Sequence, residues 1–187
     1  MAEHDAAHSE RILSPSTIRF CPLCGGALGR ERLPPGREEH AVCTRCRFVF
    51  YLNPKLVAAT IPEQDGRILL TRRAINPAKG KWTFPGGFVD FGERTTDAAV
   101  RETLEETGLS VSVTGLLGVY SYTEAPVIVV YRARVTGGTL ATCEENDAVE
   151  WVTPAGIPWS ELAFPSTRDA LSELLAPRGQ LPPGPAR

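Results

Sequence analysis

The sequence predicts an α/β fold that is preceded by a small zinc ribbon. Three observations lead to this prediction: β-rich segments lie on both sides of one acidic helical segment, four cysteines form two close pairs near the start, and 187 residues with 42% hydrophobic content suit one globular domain with a small appendage.

The cysteine pairs predict a structural metal site. Cys21 and Cys24 form one Cys-x2-Cys motif, and Cys43 and Cys46 form another after eighteen intervening residues. Four thiolates at this spacing are typical of tetrahedral Zn²⁺, which supplies folding energy that so small a module lacks. Two disulfides are the alternative, but without an export signal we expect reduced thiols. A site with four protein ligands has no open position, so we expect it to be structural.

We divide the chain into four parts: a disordered segment (1–18), the zinc ribbon (19–50), the main domain (51–176) and a disordered, Pro-rich tail (177–187). The first ten residues carry three acids and no apolar core, and no apolar run approaches 18 residues. We therefore expect a cytoplasmic protein without a membrane partner.

Charge is unevenly distributed along the chain. Residues 19–55 hold seven Lys/Arg against three Asp/Glu, whereas residues 56–187 hold twelve against sixteen. The basic residues of the ribbon are scattered and the pI is near 6.0, so this pattern disfavours a nucleic-acid partner.

The sequence of the main domain predicts strands on both sides of one central helix, and a second helix at the end of the domain. A turn at Gln64-Asp65-Gly66 predicts a hairpin. We expect Ser166 or Thr167 to cap the closing helix. The predicted strands are 57–61, 67–72, 111–122, 127–135 and 149–152, and the predicted helices are 95–107 and 166–175.

The central helix carries an acidic face. At about 100° per residue, Glu102, Glu105 and Glu106 share one side. We expect Val100, Leu104 and Thr107 to face the sheet, with Thr103 at the margin of that face. Gly108 should end the helix. A hard divalent cation with oxygen ligands would offset the repulsion between the acids. A solvated Glu-rich face is the alternative.

A glycine-rich turn precedes this helix. Gly86 and Gly87 let the backbone approach a ligand, and Glu93 follows six residues after Gly87. The pattern G-x5-E-x7-R-E-U-x-E-E-x-G-U from Gly87 to Leu109, where U is apolar, resembles the Nudix box of the Nudix hydrolases. The one departure is Thr103, where that family prefers a larger aliphatic residue.

The resemblance implies an α/β/α sandwich with a mixed sheet, and hydrolysis of a nucleoside diphosphate linked to another group. It implies that Mg²⁺ or Mn²⁺ is bound by Glu102, Glu105, Glu106 and the carbonyl of Gly86. Arg101 would orient the acids by pairing with Glu93 or Glu105. A general base is also required. The candidates are Glu102, or Glu144 and Glu145, which could equally belong to an exposed acidic loop.

The order of ribbon and box is similar to the zinc-ribbon Nudix group that contains NADH, FAD and ADP-ribose pyrophosphatases. The Ser-Gln-Pro-Trp-Pro-Phe-Pro array of the NADH enzymes is absent, and residues 121–126 stand in that region. We therefore expect FAD or ADP-ribose to be favoured over NADH. A nucleoside triphosphate pyrophosphohydrolase and a non-catalytic nucleotide- or RNA-binding module are the alternatives. The group also implies a possible homodimer.

Overall fold

A computed structural model describes residues 17–36, 38–123 and 125–176. The chain forms two compact units that meet between Asn53 and Pro54. The segments predicted to be disordered, 1–18 and 177–187, lie outside the described residues apart from Thr17 and Ile18. No helix in the described part of the chain is long and apolar enough to cross a membrane.

The first unit is a three-stranded antiparallel sheet in the order β1-β2-β3, which consists of β1 (Leu28–Arg32), β2 (Glu39–Cys43) and β3 (Val49–Phe50). Two matching turns hold the cysteine pairs. The N–H of Gly25 donates to the carbonyl of Cys21 at 2.9 Å, and the N–H of Arg47 donates to that of Cys43 at 3.0 Å. Gly25 and Arg47 have φ angles of 69° and 62°, so Arg47 adopts a conformation that glycine accepts more readily.

The second unit is built on a seven-stranded mixed sheet. Its main path runs β10-β5-β4-β9-β8, with β6 paired to β5 and β7 paired to β4. β4 and β9 are parallel, while the other pairs are antiparallel. The strands are β4 (Leu56–Gln64), β5 (Arg67–Arg73), β6 (Trp82–Thr83), β7 (Gly86–Phe88), β8 (Leu109–Tyr120), β9 (Val127–Gly138) and β10 (Asn146–Val152).

Two helices cover the two faces of this sheet. Successive side chains of a strand point to opposite faces, and β4 shows the result directly. Ala58 packs in a cluster with Ala98 and Ala99 of α1 (Thr95–Thr107). Its neighbour Ala59 packs in the larger core cluster that contains Ala170 and Leu171 of α2 (Pro165–Leu175). The predicted α/β/α sandwich with a mixed sheet is therefore confirmed.

The hairpin predicted from Gln64-Asp65-Gly66 is also confirmed. Asp65 and Gly66 have φ angles of 52° and 71°, as a two-residue turn with left-handed positions requires. β4 and β5 pair only next to this turn, at Glu63↔Ile68 and Gln64↔Arg67. Beyond it the strands diverge, and β7 pairs with β4 instead.

The bounds of α1 and its end at Gly108, with φ 69°, agree with the prediction. Thr107 is buried as predicted, but the assignment of Val100 and Leu104 to the buried face is wrong. Leu104 is 48% exposed and Val100 is half-buried. The buried residues are Ala98, Ala99, Thr103 and Thr107. Small side chains let the helix approach the sheet closely, and the two threonine hydroxyls donate to carbonyls one turn earlier.

The predicted cap of α2 is wrong as well. Phe164 is the N-cap residue and Pro165 occupies the first turn, where the missing N–H of proline costs nothing. Ser166 and Thr167 are buried inside the helix instead. The Thr167 hydroxyl pairs with that of Thr83 at 3.0 Å, so it serves the core and not the helix end.

Candidate metal centre and active site

The four cysteines of the ribbon converge on one point. Their Sγ atoms all lie within 4.8 Å of one another. Three of the separations are 3.7 Å (Cys21–Cys46), 3.5 Å (Cys24–Cys43) and 3.4 Å (Cys24–Cys46). All four are free thiols, which excludes the disulfide alternative in this structure.

These distances fit a tetrahedral zinc site. With Zn–S bonds of about 2.3 Å, tetrahedral sulfurs lie about 3.8 Å apart. The N–H of Cys46 points at the sulfur of Cys43 at 3.4 Å. This hydrogen bond is the main reason that the pKa of Cys43 is lowered to about 6, which favours the thiolate that binds metal. The predicted four-cysteine zinc ribbon is confirmed as a structural module.

The acidic face of α1 lies against Gly86 and Gly87, which were predicted to form a turn but are the first two residues of β7. A Cβ atom added to Gly87 would lie 2.4 Å from Cδ of Glu102 and 2.5 and 2.6 Å from its oxygens. A Cβ on Gly86 would lie 2.4 Å from the Cβ of Ala59. The lack of a side chain at Gly86 thus lets β7 pair closely with β4, and at Gly87 it leaves room for the Glu102 carboxylate. This is the physical reason for two glycines in succession.

Arg101 holds the acids of this face together. Its guanidinium pairs with both oxygens of Glu93, each at 2.9 Å, with Glu102 at 2.7 Å and with Glu105 at 3.2 Å. It also donates to the carbonyl of Phe88 at 3.2 Å. The hydrogen bonds from Arg101 lower the pKa of Glu93. The predicted partners of Arg101 were Glu93 or Glu105, and in the structure its guanidinium contacts both.

The three predicted metal-binding acids lie in different environments. The side chain of Glu105 is 58% exposed and that of Glu102 is 16% exposed. Burial raises the pKa of Glu102, although its hydrogen bond from Arg101 acts in the opposite direction. The acidic face therefore extends from Glu105, which is exposed to solvent, to Glu102, which is largely buried.

Glu106 is the most perturbed of the acids. Burial, together with the charges of Glu102 and Glu145, raises its pKa to about 8, against the N–H of Gly86 and the charge of Arg73, which lower it. The Gly86 N–H donates to Oε1 of Glu106 at 3.3 Å. A buried carboxylate next to other acids needs positive charge to remain ionised.

Glu145 comes from the β9–β10 loop, residues 139–145, on a different part of the chain. Its charge raises the pKa values of both Glu102 and Glu106. The structure therefore brings Glu145 within electrostatic range of the acidic face. Its carboxylate is exposed, as is that of Glu144.

Two contacts that hold α1 in place were not identified from the sequence. Asn146 is 3% exposed, and its side-chain amide donates to the carbonyl of Glu106 at 2.7 Å. Thr60 pairs its hydroxyl with that of Thr103 at 2.6 Å. Both contacts join residues about forty positions apart, so no local pattern could have revealed them.

The acidic face fits a hard divalent cation. Its donors are carboxylate oxygens, the ligands that Mg²⁺ and Mn²⁺ prefer. Glu106 is buried and its pKa is raised, so the positive charge near it is too small to keep its carboxylate ionised. The space in front of Gly87 holds the carboxylate of Glu102, which can act as a metal ligand. The residues that would hold the ion are Glu102, Glu105, Glu106 and the carbonyl of Gly86.

Comparisons with known families agree with this geometry. Residues 53–174 match the family described as NUDIX domain, and residues 19–52 match the zinc-ribbon family described as Nudix N-terminal. A crystal structure of a NUDIX hydrolase from Nitrosomonas europaea superposes with a TM-score of 0.78 and 34% identity, over 82% of this chain and 88% of that one.

Two curated relatives extend the likeness. The chain is 38% identical over 123 residues to an ADP-ribose pyrophosphatase of Methanocaldococcus jannaschii, which covers 63% of this chain and 72% of the relative. It is 30% identical over 147 residues to the NAD-capped RNA hydrolase NudC of Vibrio atlanticus, which covers 76% of this chain and 52% of the relative. The chain thus spans about half the length of the second relative. On the family matches, the acidic helix and the four-cysteine ribbon together, this chain belongs to the Nudix hydrolase family.

Proposed function

We propose that this protein hydrolyses the diphosphate linkage of a nucleoside diphosphate derivative, with ADP-ribose or FAD favoured over NADH, and releases two monophosphates. The single observation that carries the proposal is the acidic face of α1, where Glu102 and Glu105 contact Arg101 and the buried Glu106 lies against the Gly86 N–H. A divalent ion bound there would withdraw charge from the diphosphate oxygens and lower the pKa of a water molecule.

The residues of the chain have separable tasks in this reaction. Arg101 keeps Glu102 in place, since its guanidinium is held on the other side by both oxygens of Glu93. Glu145 accepts the proton of the attacking water. It is better suited than Glu102, which is already engaged by Arg101, and it is exposed to solvent.

We assign recognition of the rest of the substrate to the surface formed by the residues that follow Gly86 and Gly87. Phe88 is half exposed and carries the ammonium of Lys55 4.5 Å from its ring centroid. Phe91 is fully exposed. An aromatic surface next to a cation suits a nucleobase or sugar attached to phosphate. Support for ADP-ribose comes from the archaeal relative that bears that name.

A substrate panel tests the proposal. We would compare kcat/KM for FAD, ADP-ribose, NADH and 8-oxo-dGTP at one Mg²⁺ concentration and identify the products. We expect AMP and a second monophosphate from ADP-ribose or FAD. A lead of tenfold or more for NADH or the triphosphate would overturn the substrate assignment, since single wall contacts supply only about 1 to 3 kcal/mol of discrimination.

A matched pair of variants tests the site. Glu106→Gln removes a carboxylate that would bind the divalent ion and should abolish most turnover, whereas Glu150→Gln makes the same change at an exposed position on β10 and should leave turnover unchanged. Binding of nucleotides without any hydrolysis would favour the alternative of a binding module. A homodimer, a cytoplasmic location and the lack of a nucleic-acid partner stay predictions.

A further inference from the structure

The β9–β10 loop, which carries Glu145, is attached to the end of the acidic helix. The last carbonyls of an α-helix have no partners within the helix. In α1, the carbonyl of Thr107 accepts the N–H of Ala141 at 2.9 Å, and that of Glu106 accepts the side-chain amide of Asn146 at 2.7 Å. The loop and the first residue of β10 therefore satisfy the helix end, and in doing so they fix their own position relative to the acids.

Asn146 makes this attachment with both ends of its carboxamide. Besides the bond to Glu106, its amide contacts the sulfur of Cys143 at 3.3 Å, and its oxygen accepts the Cys143 N–H at 3.3 Å. The side chain is almost completely buried, at 3% exposure. A buried amide whose donors and acceptor are paired keeps one orientation, because rotation would leave polar atoms unsatisfied.

The backbone of Glu145 is held on both sides of its side chain. Its N–H donates to the sulfur of Cys143 at 3.3 Å, and its carbonyl accepts the N–H of Ala74 at 2.8 Å. The carboxylate itself extends into solvent. These contacts, with those of Asn146, fix the backbone of Glu145 and therefore the region that its carboxylate can reach.

We propose that Asn146 is a positioning residue, which ties the β9–β10 loop to the C-terminal turn of α1 and so places the Glu145 carboxylate beside Glu102 and Glu106 for proton transfer. The inference rests on the proposed function. Its support is geometric: one buried side chain joins the loop that carries the base to the helix that carries the metal-binding acids.

The chemistry of the carboxamide explains why asparagine stands here. Aspartate would place a carboxylate oxygen against the carbonyl oxygen of Glu106, where only a donor is tolerated. Serine keeps a polar atom but is too short to reach both Glu106 and Cys143. Both substitutions free the loop, and Asn146→Asp adds repulsion to the loss of the hydrogen bond.

A double-mutant cycle tests the inference. Glu145→Gln should lower kcat about 100-fold, within the range for loss of a general base. Asn146→Ser should lower kcat about tenfold, as a displaced catalytic group does, with KM changed less than about threefold. In the Glu145→Gln background, Asn146→Ser should change kcat less than about twofold, because the group it positions is already gone.

Two further variants separate positioning from loss of stability. Thr167→Ala removes a buried hydroxyl of α2 and should lower the melting temperature without changing kcat. Cys143→Ala removes the sulfur that accepts from Glu145 and Asn146. It should show a smaller loss of kcat that also disappears in the Glu145→Gln background, which gives a test even if Asn146→Ser folds poorly.

The outcomes distinguish the two proposals. Additive losses in the cycle, or wild-type kcat in Asn146→Ser, would overturn the positioning role and leave the proposed hydrolysis intact. Wild-type turnover in Glu145→Gln would show that no base is placed there, and the inference would fall. If the wild-type protein itself hydrolyses none of the diphosphate substrates, the proposed function fails, and the inference fails with it.

Discussion

The raised pKa of Glu106 makes a prediction about stability as well as activity. Burial raises this pKa from 4.5 to about 8, so the folded protein holds the proton more tightly than the unfolded chain. The free energy of unfolding that depends on Glu106 is therefore fully present below the unfolded pKa, and it is lost as the pH rises towards the folded value. At about 1.36 kcal/mol per pKa unit, the whole effect is on the order of 5 kcal/mol.

Glu106→Gln removes this dependence, because glutamine does not ionise and its oxygen can still accept the Gly86 N–H. We expect the variant to gain about 3 kcal/mol relative to wild type between pH 5 and pH 8 without divalent ions. Added Mg²⁺ should narrow this difference at pH 8. Wild type would gain about 2.7 kcal/mol at 100 times its dissociation constant, and the variant would gain less.

The assay is urea unfolding followed by tryptophan fluorescence. Trp82, Trp151 and Trp159 all lie in the second unit, so the signal reports on the domain that contains Glu106. Divalent ions should be removed by a resin, since a soluble chelator would also strip zinc from the ribbon. Glu150→Gln is the control for a change of charge. Parallel curves for wild type and Glu106→Gln across this pH range would refute the reasoning, as would normal metal-dependent turnover in the variant.

Three further predictions concern packing and zinc. Thr103→Val should lower the free energy of unfolding by about 1 to 3 kcal/mol, because it leaves the buried Thr60 hydroxyl without its partner. The double variant with Thr60→Val should lose less than the sum of the two single losses, and additive losses in urea unfolding would contradict the interaction. Gly87→Ala should lower turnover at least tenfold with little loss of stability, because its Cβ meets only the carboxylate end of Glu102. Gly86→Ala should lower the free energy of unfolding by about 1 to 3 kcal/mol, because its Cβ meets Ala59 of β4. Melting temperatures in the opposite order would count against this reasoning. Cys21→Ser should abolish stoichiometric zinc, and metal analysis that finds none in reduced wild type would contradict the ribbon.

The local features of this protein follow from its sequence because their causes are local. The bounds of α1, its end at Gly108 and the turn at Asp65 and Gly66 depend on helical periodicity and on residues that accept positive φ angles. The convergence of four cysteines follows from the spacing of two short motifs, and the shared side of three glutamates follows from the helical repeat.

Orientation and partnership required the tertiary structure. Apolar periodicity assigned Leu104 to the sheet, but the close approach of α1 admits only alanine and threonine, and Leu104 is left at the surface. This choice depends on the distance between helix and sheet, which no pattern within thirteen residues of helix contains.

The composition of the active site shows the same division. From the sequence, Glu145 was one of several candidates for the general base, and Asn146 had no role of its own. They lie beside the acidic helix for two reasons. β10 pairs with β5, and the carbonyls at the end of α1, which have no partners within the helix, accept hydrogen bonds from the loop and from Asn146. The sequence by itself determined which acids α1 offers to a metal ion. Only the folded chain decided their burial, the raised pKa of Glu106 and which distant residues complete the site, because desolvation and long-range hydrogen bonds arise from contacts between segments far apart in the chain.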